Sequence, residues 1–106
     1  MSEFKPPLFK LIMTWDIAPE REQEYFEFVV REFIPGVQRV GLELSDAWAT
    51  IYGGQPQIMV GATQPSLEKI QQVLHSPEWE SLFNQLQDFV QNYQQKIVEA
   101  QGGFQF

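Results

Sequence analysis

The sequence predicts an α+β domain with a single antiparallel sheet whose helices lie on one face. Strand-like apolar runs alternate with helical stretches along the chain, and the two middle runs are separated only by a turn rich in Gly and Pro. At 106 residues the chain has room for one domain with one core, spanning residues 1–106. The resulting order, βαββα(β), is the split β-α-β arrangement of ferredoxin-like domains.

The first strand is predicted over Leu8 to Ile17, and its apolar residues occupy both faces. Leu11 and Trp15 belong to one face, whereas Ile12 belongs to the other. Strands that are apolar on both faces are typically buried on both. Since the helices can cover only one face, we expect a second copy of the chain to cover the other.

The first helix is predicted over Glu20 to Ile34, where Pro19 suits the first turn. Tyr25 and Phe28 are predicted to lie beside the core-facing stripe and to widen it. Pro35-Gly36 is expected to kink or end the helix, because the residue before proline avoids the α region. The predicted stripe has helical spacing and consists of Phe26, Val29, Val30, Phe33 and Val37.

A β-hairpin is predicted next, with strands Ala47 to Tyr52 and Gln57 to Thr63 joined by Gly53-Gly54-Gln55-Pro56. Side chains on one face of this hairpin are small and apolar, as expected beneath helices. On the other face they are large and mixed. This second face comprises Asp46, Trp48, Thr50, Tyr52, Gln57, Met59, Gly61 and Thr63. Such a face is typical of a pocket or an interface.

The second helical stretch is predicted from Ser66 to about Asn92, in two pieces. Ser66 begins the first piece and Ser76 the second, each as an N-cap. The segment Tyr93 to Ala100 either prolongs the helix or forms an edge strand. We favour the strand, because the fold requires a fourth one.

Composition excludes several classes of function. Seven basic against fourteen acidic residues give a net charge of −7, which disfavours binding to nucleic acid and to anionic membranes. The absence of Cys excludes disulfides, thiolate metal sites and a cysteine nucleophile. The start lacks the pattern of a signal peptide, and no apolar run approaches the ~20 residues that span a bilayer. A cytoplasmic location is therefore the default expectation.

Several segments resemble the dimeric α/β-barrel superfamily: Trp15-Asp16, Asp46-Ala47-Trp48, Tyr52-Gly53 and Ser76-Pro77-Glu78-Trp79. The nearest branch is the NIPSNAP-like proteins or related ferredoxin-like proteins without assigned chemistry. The resemblance implies a homodimer in which two sheets pack face to face, with a pocket between each sheet and its helices or inside the barrel. Relatives include cofactor-independent monooxygenases, haem enzymes and muconolactone isomerases, so the fold does not decide the function.

Four residues are predicted to line a pocket for a small apolar or aromatic ligand. The aromatic rings could stack on a flat ligand, or could instead fill the core and the dimer seam. The predicted ligand-binding residues are Trp15, Trp48, Tyr52 and Met59.

Three residues are candidates for proton transfer. Asp16 and Asp46 could form an acid/base pair if their strands are neighbours, or each could sit at a strand end in water. His75, the sole histidine, could act as a general base or close a short helix. One His without Cys disfavours a transition-metal site, although a single His suffices as a haem ligand. We expect no metal and no cofactor.

Three functions follow. The first is a homodimer that binds a small apolar or aromatic molecule. The second is cofactor-independent oxygenation or isomerisation of an enolisable substrate, with Asp16, Asp46 or His75 handling the proton. The third is a non-catalytic dimer that serves as an interaction or regulatory module.

Overall fold

The computed structural model describes residues 8–50 and 57–100, and within them the chain is α+β. Four strands form one antiparallel sheet in the order β2-β3-β1-β4, with helices on one face. The predicted fold class is confirmed. In chain order the elements are β1 (Leu8–Ile17), α1 (Glu22–Phe28), a π-helical segment (Val29–Phe33), α2 (Ile34–Arg39), β2 (Glu43–Ala49), β3 (Ile58–Gln64), α3 (Leu67–Leu74), α4 (Pro77–Gln87) and β4 (Val90–Ala100).

The central strand β1 divides the molecule into two faces. Leu11, Met13 and Trp15 are buried beneath the helices, while Ile12 and Thr14 alternate onto the helix-free face. The Trp15 ring meets aromatic rings on its helix side, edge-on to Phe33 at 5.7 Å and stacked on Tyr93 at 5.9 Å between centroids. Offset stacking and edge contacts of this kind are the favoured geometries of aromatic pairs.

The core-facing stripe of the first helix differs from the predicted one. Tyr25 and Phe28 are buried, whereas Phe26 and Val30 are 54% and 67% exposed. The cause is the π-helical segment, which inserts one extra residue and rotates everything before it by about 100° relative to a regular helix. Phe33 and Val37, which follow the insertion, are buried as predicted.

Both ends of the first helix also differ from the prediction. Pro19 and Glu20 lie in a turn before the helix, because Glu20 has a φ of 66°, which no α-helix accepts. Pro35 does not end the helix, which continues to Arg39. In the π-helical turn the N–H of Ile34 bonds to the carbonyl of Val29, five residues earlier. This wider turn lets the chain pass Pro35, which has no N–H to place in the ladder.

The strand β2 begins and ends earlier than predicted, at Glu43 and Ala49 rather than at Ala47 and Tyr52. Glu43 and Ser45 are polar and exposed, as an edge strand allows, so Leu44 is the one apolar residue among the first three of β2. The pairing of β2 with β3 also shifts at Ser45, which is a bulge. Tyr52 and the predicted turn lie outside the described residues.

The C-terminal segment is a strand, as favoured. The helix before it ends at Gln87 rather than near Asn92, and β4 begins at Val90. Asn92, whose φ is 59°, lies within β4 where its pairing with β1 shifts between Thr14 and Asp16. Both predicted caps are confirmed: the Ser66 Oγ accepts from the Lys69 N–H at 3.1 Å, and the Ser76 Oγ accepts from the Trp79 N–H at 3.2 Å. In the described segments, no helix has the length and apolar character needed to cross a membrane.

Candidate functional site

A cleft opens between the helical layer and the edge of the sheet, where the π-helical segment faces β2. It encloses about 490 Å³. This volume falls in the range of small-molecule sites, ~300–1,000 Å³. We name it the helix–sheet cleft, and its walls include Trp15, Tyr25, Val29, Phe33, Ala47 and Trp48. π-helical turns are often found at functional sites, because they displace side chains from regular helical positions.

The cleft is mostly apolar, and its polar lining residues are Tyr25, Ser45 and Asp46. The Tyr25 hydroxyl oxygen accepts a hydrogen bond from the Trp15 Nε1–H at 3.0 Å. Burial raises the pKa of Tyr25 and the bond from Trp15 does not cancel that rise, so the hydroxyl keeps its proton at neutral pH. No described residue accepts that proton, and Tyr25 lines the cleft although only 3% of its surface is exposed.

A second depression of about 290 Å³ lies on the helix-free face of the sheet. We name it the sheet groove, and its lining includes Ile12, Asp46, Trp48, Met59, Lys96 and Val98. The strand register places one row of residues straight across its floor. That row runs Asp46, Gly61, Ile12, Lys96, from the edge strand β2 to the edge strand β4.

Asp46 is held over Gly61 by an ion pair. Its Oδ2 lies 3.3 Å from the Lys10 Nζ, and its Oδ1 accepts from the Ser45 Oγ at 2.8 Å. Burial raises the pKa of Asp46, but the bonds from Ser45 and Lys10 and the charge of Lys10 together lower it below its usual value. Asp46 is thus an ionised, paired carboxylate. Only glycine fits beneath it, because a Cβ on Gly61 would collide with the carboxylate.

The four predicted ligand-binding residues are divided between these two depressions. Trp48 and Met59 are cross-strand neighbours on the helix-free face, and both line the sheet groove. Trp15 pairs with Ile58 on the helix-covered face and lines the cleft. Trp48 lies on an edge strand and so borders both depressions. Tyr52 lies outside the described residues.

Asp16 and Asp46 have separate partners. The Asp16 carboxylate accepts from the Gln57 backbone N–H at 2.9 Å and from the Asn92 Nδ2 at 3.0 Å. These two bonds lower the pKa of Asp16. Asp46 aligns with Ile12 through Gly61, so it lies about 13 Å from Asp16 along the strand direction at ~3.3 Å per residue, and two strands away, about 10 Å, across the sheet.

His75 lies at the end of α3, as its helix-closing interpretation predicts. Its Nδ1 is 2.8 Å from the carbonyl oxygen of Gln71, and the residue is exposed. His75 also borders a third depression, beside Trp79 and Tyr93, on the far side of the helical layer from β2. Over residues 8–50 and 57–100, no three His, Cys, Asp or Glu side chains converge as metal ligands would.

Sequence reasoning missed two contributors to these depressions. The sequence predicts only a packing role for Tyr25 beside the core-facing stripe, and its burial in place of Phe26 depends on the π-helical insertion. Lys96 was not singled out, although alternation along β4 could have placed it with Val98 on the helix-free face once the strand was accepted.

Solved structures of the same fold were found, although no protein-family model and no curated protein matches the chain. A NIPSNAP family protein from Agrobacterium tumefaciens aligns with a TM-score of 0.70 and 17% identity, over 96% of this chain and 93% of that one. An EthD family protein from Bacillus halodurans aligns with a TM-score of 0.65 and 21% identity, over 89% and 99% respectively. The chain shares their fold.

A third solved structure of the same fold is described as a dimer. It is a dimeric protein of unknown function with a ferredoxin-like fold from Bacteroides fragilis, with a TM-score of 0.63, 12% identity and coverage of 92% of this chain and 100% of that one. The neighbours therefore agree with the NIPSNAP-like, ferredoxin-like resemblance of the sequence. At such low identity the agreement concerns the fold.

Proposed function

We propose that the protein is a homodimer that binds a small apolar or aromatic molecule in the helix–sheet cleft. The observation that carries the ligand proposal is the Tyr25 hydroxyl, a protonated donor that lines an otherwise mostly apolar cleft of about 490 Å³. Ligand pockets typically combine an apolar lining with a few fixed polar groups. The bond from Trp15 fixes the position of this one.

The homodimer is supported by the helix-free face of the sheet. Ile12, Met59 and Val98 leave this face partly apolar, and Trp48 on it is 58% exposed. Exposed apolar patches of this kind commonly mark protein contacts. The Bacteroides fragilis protein of the same fold is described as dimeric. We expect the dimer to bury more than ~1,200 Å² in total.

Ligand binding is tested with 2-naphthol, a flat aromatic molecule whose hydroxyl oxygen can accept a hydrogen bond from the Tyr25 O–H. Calorimetric titration is expected to give one site per protomer. Ala47→Phe is expected to abolish binding, because Ala47 is exposed and lines the cleft, so the added ring fills the cleft and leaves the core intact. Val30→Phe adds similar bulk to the outer face of the helix, where Val30 is 67% exposed, and should bind as the wild type does.

A second variant tests the polar group. Tyr25→Phe removes one hydrogen bond to the ligand. The net contribution of such a bond is ~0.5–1.5 kcal/mol, so 2-naphthol binding is expected to weaken by roughly 2- to 12-fold. Naphthalene, which lacks the hydroxyl, should bind this variant and the wild type alike. Equal 2-naphthol affinity in wild type and Ala47→Phe would remove the cleft as the site.

A further inference from the structure

We propose that the sheet groove is a second ligand site, which takes a small apolar carboxylate with its acid group at Lys96. The proposal rests on the homodimer proposed above and is independent of the helix–sheet cleft. It concerns the helix-free face, which the second copy would enclose. The argument depends on the charges that this face presents.

Lys96 and Asp46 stand at opposite edges of the row that crosses the groove. Three inter-strand steps separate β4 from β2. At ~4.8 Å for each step, the two residues are about 14 Å apart. Asp46 is neutralised by Lys10 at 3.3 Å. In the described parts of the chain, Lys96 has no carboxylate within ion-pair distance.

The remaining acidic residues near the groove do not compensate Lys96. Glu99 borders the end of the groove, but it pairs with Phe9 and therefore belongs to the helix-covered side of the sheet. Glu43 is on the helix-free face in the row of Thr63 and Lys10, at the edge away from β4. Among the residues that the structure describes, the floor beside Lys96 thus holds a cation without a counter-charge.

Covering this face with a second copy makes that charge costly. A cation removed from water is unfavourable unless it is paired and hydrogen-bonded. A carboxylate ligand supplies the missing charge. Its apolar body fits the floor between Ile12 and Val98, and the other cation of the groove, Lys10, is already paired with Asp46. The acid group is therefore oriented toward Lys96.

The experiment titrates the protein with sodium octanoate and, separately, with 1-octanol, which has the same chain without the charge. Octanoate is expected to bind once per protomer, with 1-octanol at least about tenfold weaker, the effect typical of a lost hydrogen bond to a charged group. Lys96→Gln should weaken octanoate at least about tenfold. Lys96→Arg should restore it, and Lys69→Gln on α3 should leave it unchanged.

Light scattering on the same samples separates the two proposals. A dimeric wild type that does not bind octanoate overturns the groove site alone, and a monomeric wild type overturns the homodimer together with it. Octanoate binding that survives Lys96→Gln but is lost in Ala47→Phe assigns the acid to the cleft and overturns the groove site. Absence of binding combined with a weaker dimer in Lys96→Gln means that Lys96 pairs with the second copy, which also overturns it.

Discussion

Single residues fix the geometry of both depressions, and Gly61 shows this most directly. The Asp46 carboxylate occupies the space that a side chain at position 61 would need, and from there it reaches Lys10. The glycine is therefore required by a neighbouring side chain, not by its own backbone conformation. Because the glycine leaves the middle of the row without a side chain, it also helps to shape the sheet groove.

Gly61→Ala is expected to lower the free energy of unfolding by about 1–3 kcal/mol, the usual cost of forcing a group into occupied space. In an Asp46→Ala background the same change should cost under about 1 kcal/mol, because the obstructing carboxylate is absent. Urea denaturation of the four proteins in this cycle measures the coupling. Strictly additive effects would show that the two side chains do not compete for space.

Asp16 makes the stability of the strand ends depend on pH. Its pKa is lowered in the folded protein by the bonds from Asn92 and Gln57, relative to an unfolded value of ~3.9. Its contribution to stability is therefore complete above the unfolded pKa and is lost as pH falls through the folded pKa. Asp16→Asn should destabilise the protein at pH 7, and the difference from wild type should shrink toward pH 2.

Urea midpoints at pH 7, 4 and 2 measure this difference. Asn92→Ala removes one of the two donors and should reduce the pH dependence in the same direction, to a smaller extent. A difference between wild type and Asp16→Asn that stays constant across this range would contradict the assignment of the two bonds as its source.

At the scale of elements, the π-helical segment is what sequence reasoning could not anticipate. A stripe such as Phe26, Val30 and Phe33 satisfies a uniform period of 3.6, so apolar spacing alone selects it. One inserted residue changes the phase and buries Tyr25 and Phe28 instead. The insertion depends on how the helix packs on the sheet, which spacing does not encode.

Other elements could be predicted because their signals are local. Ser66 and Ser76 cap their helices through hydrogen bonds to residues three positions ahead, a pattern visible in the sequence. The closing strand was favoured only because the fold needs it, since polar residues dominate Gln91 to Gln95 at an exposed edge. The sequence predicts the hairpin side of the sheet groove, through the large and mixed face that carries Trp48 and Met59. It does not predict the side formed by β1 and β4, which depends on register among four strands.

Deletion of Val30 is expected to convert the π-helical turn to regular α-helix. Phe28 and Phe33 then become four positions apart and remain on the core face, so stability should stay within about 1 kcal/mol of wild type. The backbone that borders the cleft changes, and 2-naphthol binding should weaken. As a control, deletion of Glu80 within α4 turns Trp79 away from Leu82 and should destabilise strongly. Urea denaturation and calorimetry measure both effects.

A deletion of Val30 that destabilises as much as the deletion of Glu80 would contradict this account. It would mean that the wide turn is needed for folding and not only for the shape of the cleft. Unchanged 2-naphthol affinity in a well-folded variant would show that ligand binding in the cleft does not depend on the π-helical segment.

At the scale of the whole molecule, the helices cover one apolar face of the sheet, and the proposed second copy covers the other. Ile12→Glu is expected to yield a monomer, because it places a charge in the middle of the proposed seam without touching the buried core. Light scattering and the unfolding midpoint give the readouts. Val30→Glu, on the outer face of the helix, should remain dimeric. A dimeric Ile12→Glu variant would place the contact elsewhere.

The three tryptophans give this molecule an intrinsic optical reporter. Trp15 and Trp79 are 1% and 4% exposed, whereas Trp48 is 58% exposed. In the single chain, a collisional quencher such as acrylamide should therefore reach one indole and spare two. Because that indole borders both depressions, its emission is positioned to register association and cleft occupancy without any label, and the two shielded rings supply an internal reference.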